Sequence, residues 1–238
     1  MDLEEKRFKE VEYAIQQSGY TVADLLKASS RYNSTLLMMS SDDIDKYRAI
    51  YDTIENGGLT KDEKGKKLEE LSTLLFEKSV ENLFEVYNNC RNSTNEIDLL
   101  IRWTESARLS GISGAFPCFN ESFLCECKNY KGKVGVTYVG KFSSLMAVTN
   151  TYFGVMVSWD GVTGRSKWSD SLGLIKKIAL GEKRYIIVLD KYDLKKIYNK
   201  EKNLFSLVYD KYTALKYEID YSKYIEKHEA EAGMVGEG

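Results

Sequence analysis

The sequence holds a single histidine, His228, and a single proline, Pro117, in 238 residues. Histidine-based catalysis is therefore excluded unless His228, near the end of the chain, takes part, which is not expected. Cysteine is sparse as well: Cys90, Cys118, Cys125 and Cys127. The Cys125-Glu126-Cys127 spacing is wrong for a zinc knuckle. Cys125 and Cys127 read instead as small buried apolar residues, and reduced thiols fit the cytoplasm. No apolar run is long enough to span a membrane. Met1 to Lys6 is charged and lacks an apolar signal core, so the expectation is a cytoplasmic chain. Neither charge dominates: 34 Lys and Arg stand against 36 Asp and Glu, net -2, with pI ≈ 5.7. That balance argues against non-specific coating of nucleic acid but leaves room for a local basic groove. There is no internal repeat. With 43% hydrophobic and 29% charged residues, the chain is long enough and ordinary enough to bury a real core.

Two short stretches carry the chemistry. Phe123 to Lys128 is an apolar run with Glu126 and Lys128 two positions apart. In a strand, Phe123, Cys125 and Cys127 point one way and Leu124, Glu126 and Lys128 the other. Upstream, Glu96 and Asp98 are expected on one face of a second strand, with Ile97, Leu99 and Ile101 on the other. If the strands are neighbours, Asp98, Glu126 and Lys128 converge. Two carboxylates and a lysine suit a hard divalent cation and an attacking water. The alternative is an exposed edge strand with a surface ion pair.

Residues 1–58 read as helices: an apolar spacing at Phe8, Val11 and Ile15, a Thr21 N-cap before 22–27, and a helix opened by Ser41 with Asp42 and Asp43 in its first turn. Gly57-Gly58 is the candidate boundary. Thr60 starts a helix carrying Leu68, Leu71, Leu74 and Leu75. Strands follow at Phe84–Tyr87, at Asp98 and at Glu126, with a loop over 104–121 between the last two. A helix over about 136–149, a strand at Tyr152–Val157, a helix through Leu172, Ile175 and Ile178, a strand at Arg184–Leu189 and a short helix at Asp193–Tyr198 complete the middle. This order predicts an α/β fold with a mixed central sheet flanked by helices. Residues 203–226 are expected to form a final helix rich in Tyr and Lys, and 229–238 a disordered tail.

This order of elements resembles the PD-(D/E)xK nuclease superfamily, and more closely its Mrr-like restriction endonuclease branch, over roughly residues 62–198. The residues that carry the resemblance are Glu70, Glu96-Ile97-Asp98, Glu126-Cys127-Lys128 and the run Gly154 to Gly164. The name-giving proline is missing, since Ile97 precedes Asp98. The resemblance implies a restriction-endonuclease-like core over 59–200, with an N-terminal helical region (1–58) and a C-terminal helix and tail (201–238). It implies metal-dependent phosphodiester cleavage, with DNA as substrate and restriction or phage defence as the setting; the residues leave RNA open. Asp98 and Glu126, with the Cys127 backbone carbonyl, would hold Mg²⁺, for which Mn²⁺ can substitute. Lys128 would act on the attacking water and phosphate, and Glu70, or its neighbour Glu69, would complete the metal shell. Lys141, Arg165 and Lys167 are candidate phosphate contacts, and the Tyr-Lys face from Tyr209 to Lys227 reads as a packed aromatic stripe or oligomer contact more than as a base-stacking surface. A homodimer and an activating partner on the N-terminal helices are expected. A non-catalytic adaptor on the same fold is the rival reading.

Overall fold

The structure is a computed structural model that describes residues 3–20, 37–91, 96–129, 132–164 and 170–217. The Thr21 cap and the 22–27 helix, the turn at 92–95, Arg165, Lys167, His228 and everything after 217 lie outside the described residues. So does the side chain of Glu96.

Helices α1 (Leu3–Ser18), α2 (Ser41–Glu55) and α3 (Lys61–Lys78) come first. They are followed by β1 (Phe84–Arg91), β2 (Glu96–Trp103), α4 (Glu105–Leu109), α5 (Ile112–Ala115), a 3-10 turn (Pro117–Phe119) and β3 (Ser122–Lys128). Then come α6 (Val136–Val148), β4 (Phe153–Ser158), α7 (Ser171–Glu182), β5 (Tyr185–Leu189), α8 (Lys191–Tyr198) and α9 (Leu204–Lys216). The strands among the described residues form one sheet in the order β1-β2-β3-β4-β5. Pairing is antiparallel from β1 to β3 and parallel from β3 to β5. This is the mixed α/β sheet that the sequence predicts.

Local chemistry accounts for the helix starts. Thr60 accepts from the Glu63 amide while the Glu63 carboxylate accepts from the Thr60 amide, a reciprocal cap. Asp190 ends β5 and caps α8 in the same manner with Asp193. Ser41 opens α2, and Ser40 before it is the N-cap, accepting from the Asp43 amide. The turn between α2 and α3 runs through Gly57 and Gly58 at φ 80° and 84°, a conformation that glycine adopts without strain.

Two cores cover the faces of the sheet. On one face, Leu99, Ile101, Phe123, Cys125 and Val155 pack under α2, α3, α8 and α9. Its centre is aromatic: Phe123 lies 5.6 Å from Phe76, 5.1 Å from Phe119 and 5.4 Å from Phe153, centroid to centroid. On the other face, Leu124, Met156 and Ile186 pack under α6 and α7 through Phe142, Met146 and Ile175. Helix α2 belongs to the first core, and its buried Tyr47 and Tyr51 hydroxyls donate to the Leu194 and Lys191 carbonyls.

Two readings change. Residues 104–121, expected as a loop, contain α4, α5 and the 3-10 turn, because Ala107, Cys118 and Phe119 are buried against the aromatic centre. Ile97 packs with the second core, whereas Leu99 and Ile101 pack with the first, so β2 does not keep strict alternation. The break coincides with Asn89 on β1, which is left-handed (φ 49°) and faces Asp98 at the one unpaired position of the β1–β2 ladder. Tyr212, from the Tyr-Lys face, lies 4.8 Å from Tyr185 and packs inward, in line with the packed aromatic stripe.

Candidate active site

The β2–β3 ladder ends at the Leu99–Cys125 pair. One step further, Asp98 and Glu126 would face each other, but the strands have parted. β3 stays joined to β4 through Glu126, Cys127 and Lys128, so only its β2 side opens. Into that gap the Asp98 carboxylate turns and accepts the Cys127 amide at 2.8 Å, replacing the lost ladder bond. The Lys128 ammonium lies 2.5 Å from Glu126 Oε1 and 3.6 Å from Asp98 Oδ2. All three side chains are largely buried, with 14–23% of their surface exposed. β3 is the central strand, so the edge-strand alternative does not describe this lysine–glutamate pair.

Helix α3 forms the opposite wall. Leu68, Leu71 and Leu75 bury its inner face, and Ser72 contacts the Cys127 thiol at 3.3 Å. Glu69 lies on the wall of two clefts that meet here: one of about 660 Å³ reaching Asp98, and one of about 410 Å³ reaching Lys128. Glu70 lines only the first, is exposed, and pairs with Lys67 at 2.6 Å. Lys141 is exposed on α6, across the sheet from α3, with its ammonium 5.7 Å from the Tyr138 ring.

Burial pushes the Glu126 carboxyl up to about 6; the Asp98 charge adds to this, Lys128 opposes it, and Glu69 adds a further push. The local acids thus exceed the one lysine between them, a deficit that a cation would relieve. Among the described residues no three His, Cys, Asp or Glu side chains are grouped as a ready metal cage. The donor set fits Mg²⁺ nonetheless, since Mg²⁺ is commonly bound by one or two carboxylates and keeps water and substrate phosphate as its remaining ligands.

A pH dependence follows for the metal-free protein. The fold raises this carboxyl above its ordinary 4.5, so it favours the protonated form. The stability it contributes is complete below about pH 4.5 and is lost as pH rises through about 6, roughly 1–2 kcal/mol in all. Glu126→Gln should therefore be more stable than the parent at about pH 8 and lose that advantage at about pH 5 in urea titrations with EDTA. Equal stability differences at both values would contradict this.

Residues 60–197 match the Mrr_cat family model, described as Restriction endonuclease. Nothing among the curated proteins matches. Among solved structures, the chain is similar to the DNA modification-dependent restriction endonuclease AspBHI, at 12% identity and TM-score 0.37 over 76% of this chain. It spans 42% of that protein's length. The family match alone covers more than half of the residues, from the cap of α3 to the end of α8, and the chain belongs to the Mrr_cat restriction endonuclease family.

Proposed function

We propose that the chain is a metal-dependent endonuclease that hydrolyses phosphodiester bonds of DNA, in restriction or phage defence. The observation that carries this reading is the largely buried Asp98–Glu126–Lys128 cluster in the gap between β2 and β3. Three ionic side chains are costly to desolvate at the centre of a sheet, and a purely structural role would be served better by apolar residues.

In this reading Asp98 and Glu126, with the Cys127 carbonyl, hold Mg²⁺, and Mn²⁺ can take its place. When bound, the cation lowers the pKa of a water and offsets charge on the phosphate. Lys128 orients the attacking water and donates to the phosphate oxygen that gains charge. The Cys127 amide keeps Asp98 aimed into the gap. Glu69, rather than Glu70, supports the metal shell from α3, because it faces both clefts and acts on Glu126. Residues 59–200 carry the nuclease fold, and α2 from 1–58 and α9 from 201–238 pack into its hydrophobic core. Cutting both strands of a duplex needs two such sites, so a homodimer belongs to the proposal, as does an activating partner on the N-terminal helices.

The test is cleavage of supercoiled plasmid with Mg²⁺, Mn²⁺ or EDTA, run beside a metal-titrated melting scan. Metal-dependent cutting is expected. A metal present at 100 times its Kd should stabilise the fold by about 2.7 kcal/mol. Neither cutting nor a metal-linked shift in Tm would reject the nuclease in favour of the adaptor.

A further inference from the structure

The first two turns of α3 read Lys61-Asp62-Glu63-Lys64-Gly65-Lys66-Lys67. Four lysines in seven residues is an unusual load at a helix start, where the macrodipole favours acids. Lys64 lies over the Trp159 ring, 5.4 Å from its centroid, and Lys67 pairs with Glu70. Lys61 and Lys66 stand on cleft walls. Lys61 lines the cleft that reaches Lys128, and Lys66 lines both that cleft and the one that reaches Asp98. Both are exposed. α2 contributes Lys46, which pairs with Asp43 at 3.3 Å, to the wall of the larger cleft.

Gly65 sits between them on the same wall. A Cβ there would meet nothing within 4 Å, so packing does not explain the glycine. Glycine inside a helix is unfavourable relative to alanine. Gly65 leaves bare backbone on the wall of the cleft. The catalytic acids, with Asp62 and Glu70 on the same walls, would repel a polyanion unless cations flank them within a Debye length.

We propose that α3 is the rail along which the DNA backbone crosses the site, with Lys61 and Lys66 contacting phosphates on either side of the reacting one. Gly65 lets the strand lie close to the helix, and Lys46 takes a phosphate further along. This rests on the nuclease reading and extends it to a binding path. Phosphate contacts of this kind fix register and supply affinity without reading sequence.

The full chain is titrated against a labelled DNA duplex of about 20 base pairs, by fluorescence anisotropy in EDTA across a salt series. Plasmid cleavage in Mg²⁺ is run on the same preparations. The variants are Lys61→Gln, Lys66→Gln, the double variant, and Lys177→Gln on α7 as a control across the sheet. Glutamine keeps helix propensity, so the fold is retained and circular dichroism checks it. Each rail substitution should weaken binding severalfold and lower the slope of log K against log[salt] by about 0.9. The double variant should lose about twice that, and Lys177→Gln nothing. A double variant that binds and cuts like the parent, where the parent does both, overturns the rail and leaves the nuclease standing. A parent that neither binds the duplex nor cuts overturns the nuclease reading and the rail with it.

Discussion

Lys128→Ala should lower cleavage by at least about 10²–10³-fold, the loss typical when one preorganised donor to a developing oxyanion is removed. The ammonium lies 2.5 Å from Glu126 and 3.6 Å from Asp98. Without it, two carboxylates face each other across the β2–β3 gap with no charge between them. The metal-free variant should lose about 1–3 kcal/mol at neutral pH, the usual range for an orphaned buried polar group. Its Glu126 carboxyl should rise further above about 6, since the lysine is what holds it down. The stability deficit should therefore shrink as pH falls and the acid protonates. Single-turnover cleavage and urea titrations at two pH values read both effects. Cleavage at the parental rate would remove Lys128 from the chemistry, whatever the stability data show.

Phe123→Ala should cost about 3–5 kcal/mol, the range for emptying a buried aromatic site. Against a total stability of about 5–15 kcal/mol, that brings the domain close to unfolding. Phe123 is fully buried and lies against four rings: Phe76 of α3, Phe84 of β1, Phe119 of the 3-10 turn and Phe153 of β4. Such a site cannot collapse without moving elements from both sides of the chain. Because Phe123 lies on the strand that carries Glu126 and Lys128, the same substitution should also loosen the site. Phe123→Leu, which retains much of the apolar volume, should lose markedly less. Urea unfolding of the two variants decides it; a loss below about 1 kcal/mol for Phe123→Ala would mean that the neighbouring rings refill the space.

Much of this was legible in the residues. Apolar runs bounded by turn residues located the five strands, and three-and-four spacing located α3, α6 and α7. The spacing of Glu126 and Lys128, with Asp98 upstream, pointed to one cluster, and the distances place the three side chains together. The lysine-rich start of α3 was equally visible, but nothing in one dimension said which of its lysines line a cleft. The segment 104–121 was misread because its glycines and Pro117 look like loop punctuation, while its hold on the core comes from Phe119 and Cys118 meeting residues far away in the chain.

Local sequence chemistry determined the elements and the identity of the charged groups, because caps, alternation and helical spacing act between residues a few positions apart. Tertiary structure decided the rest. It set Glu69 on the walls of both clefts and Glu70 on the wall of only one, since helix phase is fixed only when Leu68, Leu71 and Leu75 choose the sheet. It parted β2 from β3 at the one step where Asp98 could turn inward. It also raised the Glu126 carboxyl, because desolvation and the nearness of Asp98 depend on packing between strands, which no spacing along a single strand can specify.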